Sequence, residues 1–179
     1  MFEGWGEFYL MAGSSAAVLI GLIFVVVTLM HDQPRSAVLA GARLYMGPVV
    51  LQVSFVLVLS AAALAKGVTP GAMELIAAVV AVWGLVRAVQ SVRGIRGRQA
   101  GIEEAPHWTD QWFYGLVPGT LYALLGVVAW AFGTARDWAP QALAALITAM
   151  LLNAIRNEWD LVTWLAPRPD SGKPDVGKD

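Results

Sequence analysis

FYLMAGSSAAVLIGLIFVVVTLM, residues 8–30, carries no charged side chain and is stopped by His31, Asp32, Gln33 and Pro34. An α-helix rises about 1.5 Å per residue, so roughly 20 apolar residues cross the ~30 Å hydrocarbon core of a bilayer. The stretch therefore reads as a transmembrane helix. A cleaved signal peptide is the rival reading, since Val38-Leu39-Ala40 resembles a small-residue cleavage site. The flank Met1 to Glu7 argues against it, because it holds Glu3 and Glu7 and neither Lys nor Arg, whereas signal peptides open on positive charge. An uncleaved helix is expected.

Outward from this stretch, four more apolar runs are bounded by charge, Pro or Gly. They cover about residues 45–65, 72–92, 112–133 and 139–155. The second and third form a tight hairpin through Pro70-Gly71, and Pro118 interrupts the fourth beside Gly115 and Gly119. Past residue 155 the polar stretch Arg156-Asn157-Glu158 leads into Leu161-Val162-Thr163-Trp164-Leu165, an amphipathic pattern that predicts an interfacial helix to about residue 165. The fold class is all-α, a polytopic transmembrane bundle of five spans over residues 1–166. Residues 167–179, rich in Pro, Gly and charge, predict a disordered tail.

The composition agrees: the chain is 58% hydrophobic and 14% charged, with mean hydropathy +0.61, beyond what a soluble domain of this length carries. A net charge of −1 leaves no nucleic-acid footprint, and the absence of Cys removes disulfides, thiolate metal sites and thiol nucleophiles together.

Alternate connections differ sharply in Lys and Arg. One side collects Arg35, Arg43, Arg87, Arg93, Arg96, Arg98, Arg156, Arg168, Lys173 and Lys178, ten against Lys66 and Arg136 on the other. The positive-inside rule then puts the N-terminus outside and the C-terminus in the cytoplasm. The Trp belt fits, with Trp5, Trp130 and Trp138 at outer ends and Trp108, Trp112, Trp159 and Trp164 at inner ends.

In the first span Gly13, Ala17 and Gly21 recur every four residues, the spacing that lets a second helix approach to backbone distance. They are the expected helix-packing residues, within the monomer or between copies. Similar stripes occur at Ala77, Ala81, Gly84 and Ala88, at Gly115, Gly119 and Ala123, and at Ala142, Ala145 and Ala149. No Asp, Glu, Lys, Arg or His lies near the middle of any span, which speaks against a proton-driven pump. The densest polar constellation is cytoplasmic: Arg87 near the end of the third helix, with Asn153, Arg156 and Asp160 at i+3 and i+4 steps on one face of the fifth. That cluster is the candidate site, for a lipid headgroup or a protein partner. Snorkelling arginines and a helix-end ion pair are its structural alternative.

His31 and His107 lie in loops near carboxylates, without paired-His spacing, HExxH, a phosphate-binding Gly loop or Gly-x-Ser-x-Gly. No catalytic residue, cofactor or metal site is expected. The basic run Arg93-Gly94-Ile95-Arg96-Gly97-Arg98 reads as a topology and anionic-lipid signal.

Trp5, Phe8 and Tyr9 followed by residues 12–17 (AGSSAA) and 21–25 (GLIFV), with residues 156–161 (RNEWDL) near the other end, resemble a family of small multi-pass bacterial membrane proteins without an assigned activity. The resemblance implies the bacterial inner membrane and lends no mechanism. The expectation is a non-enzymatic membrane protein whose partners are lipids, and a second copy or another membrane protein, with no nucleic acid. The alternative is a subunit of an oligomeric channel or small transporter.

Overall fold

The structure, a computed structural model, describes residues 1–29, 47–99 and 112–165. The expectations for His31, His107, the loop over residues 31–44 and the tail over 167–179 fall outside them. The described chain is all-helical: α1 Gly6–Leu29, α2 Gly47–Leu64, α3 Pro70–Gln99, a π-helical turn Trp112–Leu116 running into α4 Val117–Gly133, and α5 Ala139–Leu165. Five segments are long and apolar enough to cross a membrane: Gly6–Val25, Gly47–Leu64, Pro70–Gly94, Trp112–Gly133 and Ala139–Asp160.

Two boundaries depart from expectation. The basic run from Arg93 to Arg98 is not loop but the last turns of α3, which is 30 residues long. Gly94 and Gly97 each cost only about 1 kcal/mol in helix propensity, too little to stop a long helix. The fifth helix likewise runs past residue 155 without a break. Residues 156–165 continue α5 as one 27-residue helix, because no Gly or Pro interrupts it after Pro140. At about 1.5 Å per residue these helices reach roughly 45 and 40 Å, longer than the ~30 Å core.

Central α2 packs on α1, α3 and α5, while α3 lies along α4, and α5 closes the bundle against α4 and α1. The core is apolar, and the exterior is apolar as well, unlike that of a water-soluble domain. Leu10, Val18, Phe24, Val82, Leu124 and Leu152 all stand exposed on the outside, where acyl chains are the compatible solvent.

The starts of α1 and α5 share one end. Tyr9 is fully buried there and its hydroxyl donates to the Pro140 carbonyl at 2.9 Å, with the Phe2 ring 5.7 Å from that of Phe132. The short turns over residues 65–69 and 134–138 belong to this N-terminal end, and they carry Lys66 and Arg136. Gly67 turns the first with φ +77°, and Ala135 turns the second with φ +51°. In that second turn Arg136 N–H bonds to the Ala131 carbonyl and Ala135 N–H to that of Phe132, the closing pattern of a Schellman cap.

Small residues do draw helices together, although on α1 only Gly13 of the expected ladder does so within the monomer. Gly13 is buried, and a Cβ on it would come within 3.2 Å of the Ser60 Cβ on α2. Ala17 is exposed, as is Gly21, which has nothing within 4 Å of where a Cβ would lie. The inward stripe is instead Tyr9, Ala12, Gly13, Ala16 and Ile23, because α1 has neighbours on one side only and the bulkier Tyr9 and Ile23 fix which side. The tightest small-residue seam lies between α3 and α4. A Cβ on Gly84 would land on the Tyr122 ring, one on Gly115 on Val92, and one on Gly133 on the Glu74 carboxyl group.

Candidate functional site

Asn153 and Asn157 lie one turn apart on α5, 6% and 2% exposed. An amide at this depth needs partners, since an unpaired buried polar group costs about 1–3 kcal/mol. Each asparagine's Nδ2 finds a partner on a different element, while the Asn153 Oδ1 is enclosed without one among the described residues. The Asn153 Nδ2 donates to the Gln52 Oε1 on α2 at 3.2 Å, and the Gln52 Nε2 donates to the Met150 carbonyl on α5 at 2.6 Å. One glutamine thus ties α2 to α5 through both ends of its amide. The Asn157 Nδ2 donates to the Phe113 carbonyl at 3.1 Å, and the Tyr114 hydroxyl donates to the Asn157 carbonyl at 3.3 Å.

Phe113 and Tyr114 are available because of Pro118. Proline lacks the N–H that an α-helix would send back to the Tyr114 carbonyl. The turn before it, Trp112–Leu116, is wound as a π-helix, the wider i→i+5 form that occurs within α-helices and is frequent at functional sites. The expectation that Pro118 perturbs its helix is met in this way, and the altered turn is docked on α5.

Arg156 completes the arrangement. Its guanidinium carbon sits 3.3 Å from the centre of the Phe113 ring, and its Nη1 donates to the Asn157 Oδ1 at 3.3 Å and pairs with the Asp160 Oδ2 at 3.1 Å. The Arg156 and Asp160 side chains are 35% and 41% exposed, so the ion pair alone adds only about 0.3–0.5 kcal/mol, the value of an i,i+4 helix pair. Stacking on the ring adds about 0.5–1 kcal/mol. The geometry fixes the cation more than it stabilises the fold. Both polar contacts use one nitrogen, leaving Nη2 and Nε without a partner among the described residues.

Of the four residues expected here, Asn153, Arg156 and Asp160 share α5 as foreseen. Arg87 is not joined to them: it is exposed on α3 and its Nη1 donates to the Gln90 Oε1 at 3.3 Å, one turn along its own helix. A long flexible cation reaches its local amide before a carboxylate on another helix. Sequence reading missed Asn157, Phe113 and Tyr114. Asn157 stands four residues after Asn153, a spacing visible in the chain, whereas the ring beneath Arg156 depends on the π-helical turn. It also missed Glu158, half-buried one residue further on, whose Oε1 is enclosed without a hydrogen-bond partner among the described residues. No cluster of three His, Asp or Glu suited to a metal occurs among the described residues.

Comparison of the chain with protein-family models, curated proteins and solved structures returns no significant match.

Proposed function

We propose that this chain is a non-enzymatic, five-span protein of the bacterial inner membrane, N-terminus outside and C-terminus cytoplasmic. In this reading its inner end holds an anionic group presented by a lipid headgroup or by a protein partner. The observation that carries it is Arg156, a half-exposed guanidinium held by Phe113, Asn157 and Asp160 whose Nη2 and Nε donors have no partner among the described residues. Donors fixed in advance lose little entropy on meeting phosphate or carboxylate, and a guanidinium binds either in a fork. The orientation rests on the ten-against-two division of basic residues, with Lys66 and Arg136 both at the N-terminal end. The test is the stability in detergent of the wild type and Arg156→Ala with and without an anionic lipid. A gain from the lipid that Arg156→Ala loses supports the reading, and equal gains in both overturn it.

A second reading, a subunit of an oligomeric channel or small transporter, is favoured by Ala17 and Gly21 facing outward from α1, where a second copy would meet a smooth surface. The mass of the protein in mild detergent tests it: a symmetric ring supports it and a strict monomer removes it.

A further inference from the structure

The geometry points to a binding site for one acyl chain of an anionic phospholipid in the groove between α3 and α4, with its headgroup phosphate at Arg93. The inference rests on the five-span reading, and it is independent of Arg156.

The groove holds about 450 Å³ and runs along the α3–α4 seam, floored by Ala88 and Val92 where they pack on Gly119 and Gly115, with the small side chain of Ala123 on the α4 side. Leu85 and Val89 form an apolar wall, and Arg93 stands at one end. From Leu85 to Arg93, and likewise from Gly115 to Ala123, the walls run about 12 Å at 1.5 Å per residue. That is most of one leaflet of a ~30 Å core.

Two observations choose the occupant. Trp112 is half exposed, four residues ahead of Leu116 in the groove wall, and an exposed Trp at a span end marks headgroup depth. Arg93 is exposed at the same end of the bundle, has no hydrogen-bond or carboxylate partner among the described residues, and is followed on its helix by Arg96 and Arg98. Among the described residues no acidic side chain lines the groove. A narrow apolar channel that opens on a cation at headgroup level matches a molecule with an acyl tail and a negative head. A water-soluble phosphate would use the cation and leave the channel empty.

Native mass spectrometry of the intact protein, titrated with phosphatidylglycerol, phosphatidylcholine or glycerol phosphate, tests this together with Arg93→Gln and Ala123→Phe. Both positions are exposed, and circular dichroism confirms that the variants fold. The expected result is retention of one phosphatidylglycerol in preference to phosphatidylcholine. Arg93→Gln should weaken phosphatidylglycerol about fivefold, the effect of one basic residue near an anionic headgroup. Ala123→Phe should reduce retention of both lipids, which a purely electrostatic site would not do. Unchanged retention in Ala123→Phe overturns the groove, and equal competition by glycerol phosphate overturns the role of the acyl chain. Loss in Arg156→Ala alone, with the two groove variants behaving as wild type, overturns this site and leaves the reading of Arg156 standing.

Discussion

Gln52 and Asn153, 101 positions apart, meet side chain to side chain across the α2–α5 seam at 3.2 Å, and the same glutamine returns a hydrogen bond to the Met150 carbonyl. In a bilayer interior, where helices gain little from apolar contact alone, such a bond fixes which helices are neighbours and in what register. Gln52→Leu and Asn153→Leu should each lower stability by about 0.6 kcal/mol, and at most about 1.7, the range measured for interhelical side-chain bonds in membranes. The double variant should lose less than the sum, measured by reversible unfolding in mixed micelles.

Gly84 and Gly21 should respond oppositely to the same change. A Cβ on Gly84 would collide with the Tyr122 ring, whereas one on Gly21 meets nothing within 4 Å. Gly84→Ala should therefore cost about 1–3 kcal/mol, the range for an overpacked core. Gly21→Ala should be neutral or stabilising by up to about 1 kcal/mol through helix propensity. Thermal melting of the two variants side by side decides it.

The turns offer a paired test of backbone handedness. Gly67 sits at φ +77° and Ala135 at φ +51°, a region that costs an L side chain about 1–2 kcal/mol. Gly67→Ala should destabilise by about that amount, and Ala135→Gly should stabilise by about 0.5–1 kcal/mol once the added flexibility of the unfolded chain is deducted. Chemical unfolding of the two variants reads both signs.

Arg156→Lys keeps the charge but not the planar group stacked on Phe113. It should lose about 0.5–1 kcal/mol of stability. In a double-mutant cycle, Arg156→Ala and Asp160→Ala should couple by roughly 0.3–0.5 kcal/mol. Strict additivity would mean that the ion pair contributes nothing in the folded protein.

Ser171→Cys, in a chain without native Cys, should resist an impermeant thiol reagent in intact cells, while Gly4→Cys should react. The reverse pattern would invert the proposed orientation.

Much of the architecture was legible because span length is set by the bilayer and the interruptions are chemical: Asp32 and Pro34 after the first run, Lys66 and Pro70 around the first short turn. Helix faces were less legible. Gly13, Ala17 and Gly21 form a regular ladder, yet only Gly13 is buried, since spacing says which residues share a side and not which side has a neighbour. The site was legible in part. The i+4 pairing of Arg156 and Asp160 is a local relation and holds at 3.1 Å. The ring under Arg156 and the amide on Asn153 come from other helices, and one sequence does not encode which helix lies opposite.

The seat of Tyr122 over Gly84 bears on motion. Sliding α3 along α4 by one turn, about 5.4 Å, would bring the ring against Val80 or Ala88, where a side chain occupies the space that Gly84 leaves open. The seats of Glu74 over Gly133 and of Val92 over Gly115 oppose the same displacement. A one-turn ratchet is therefore sterically closed to this pair. The span of α1 is the least buried of the five, but it is held to α5 by the Tyr9–Pro140 bond and packs along α2.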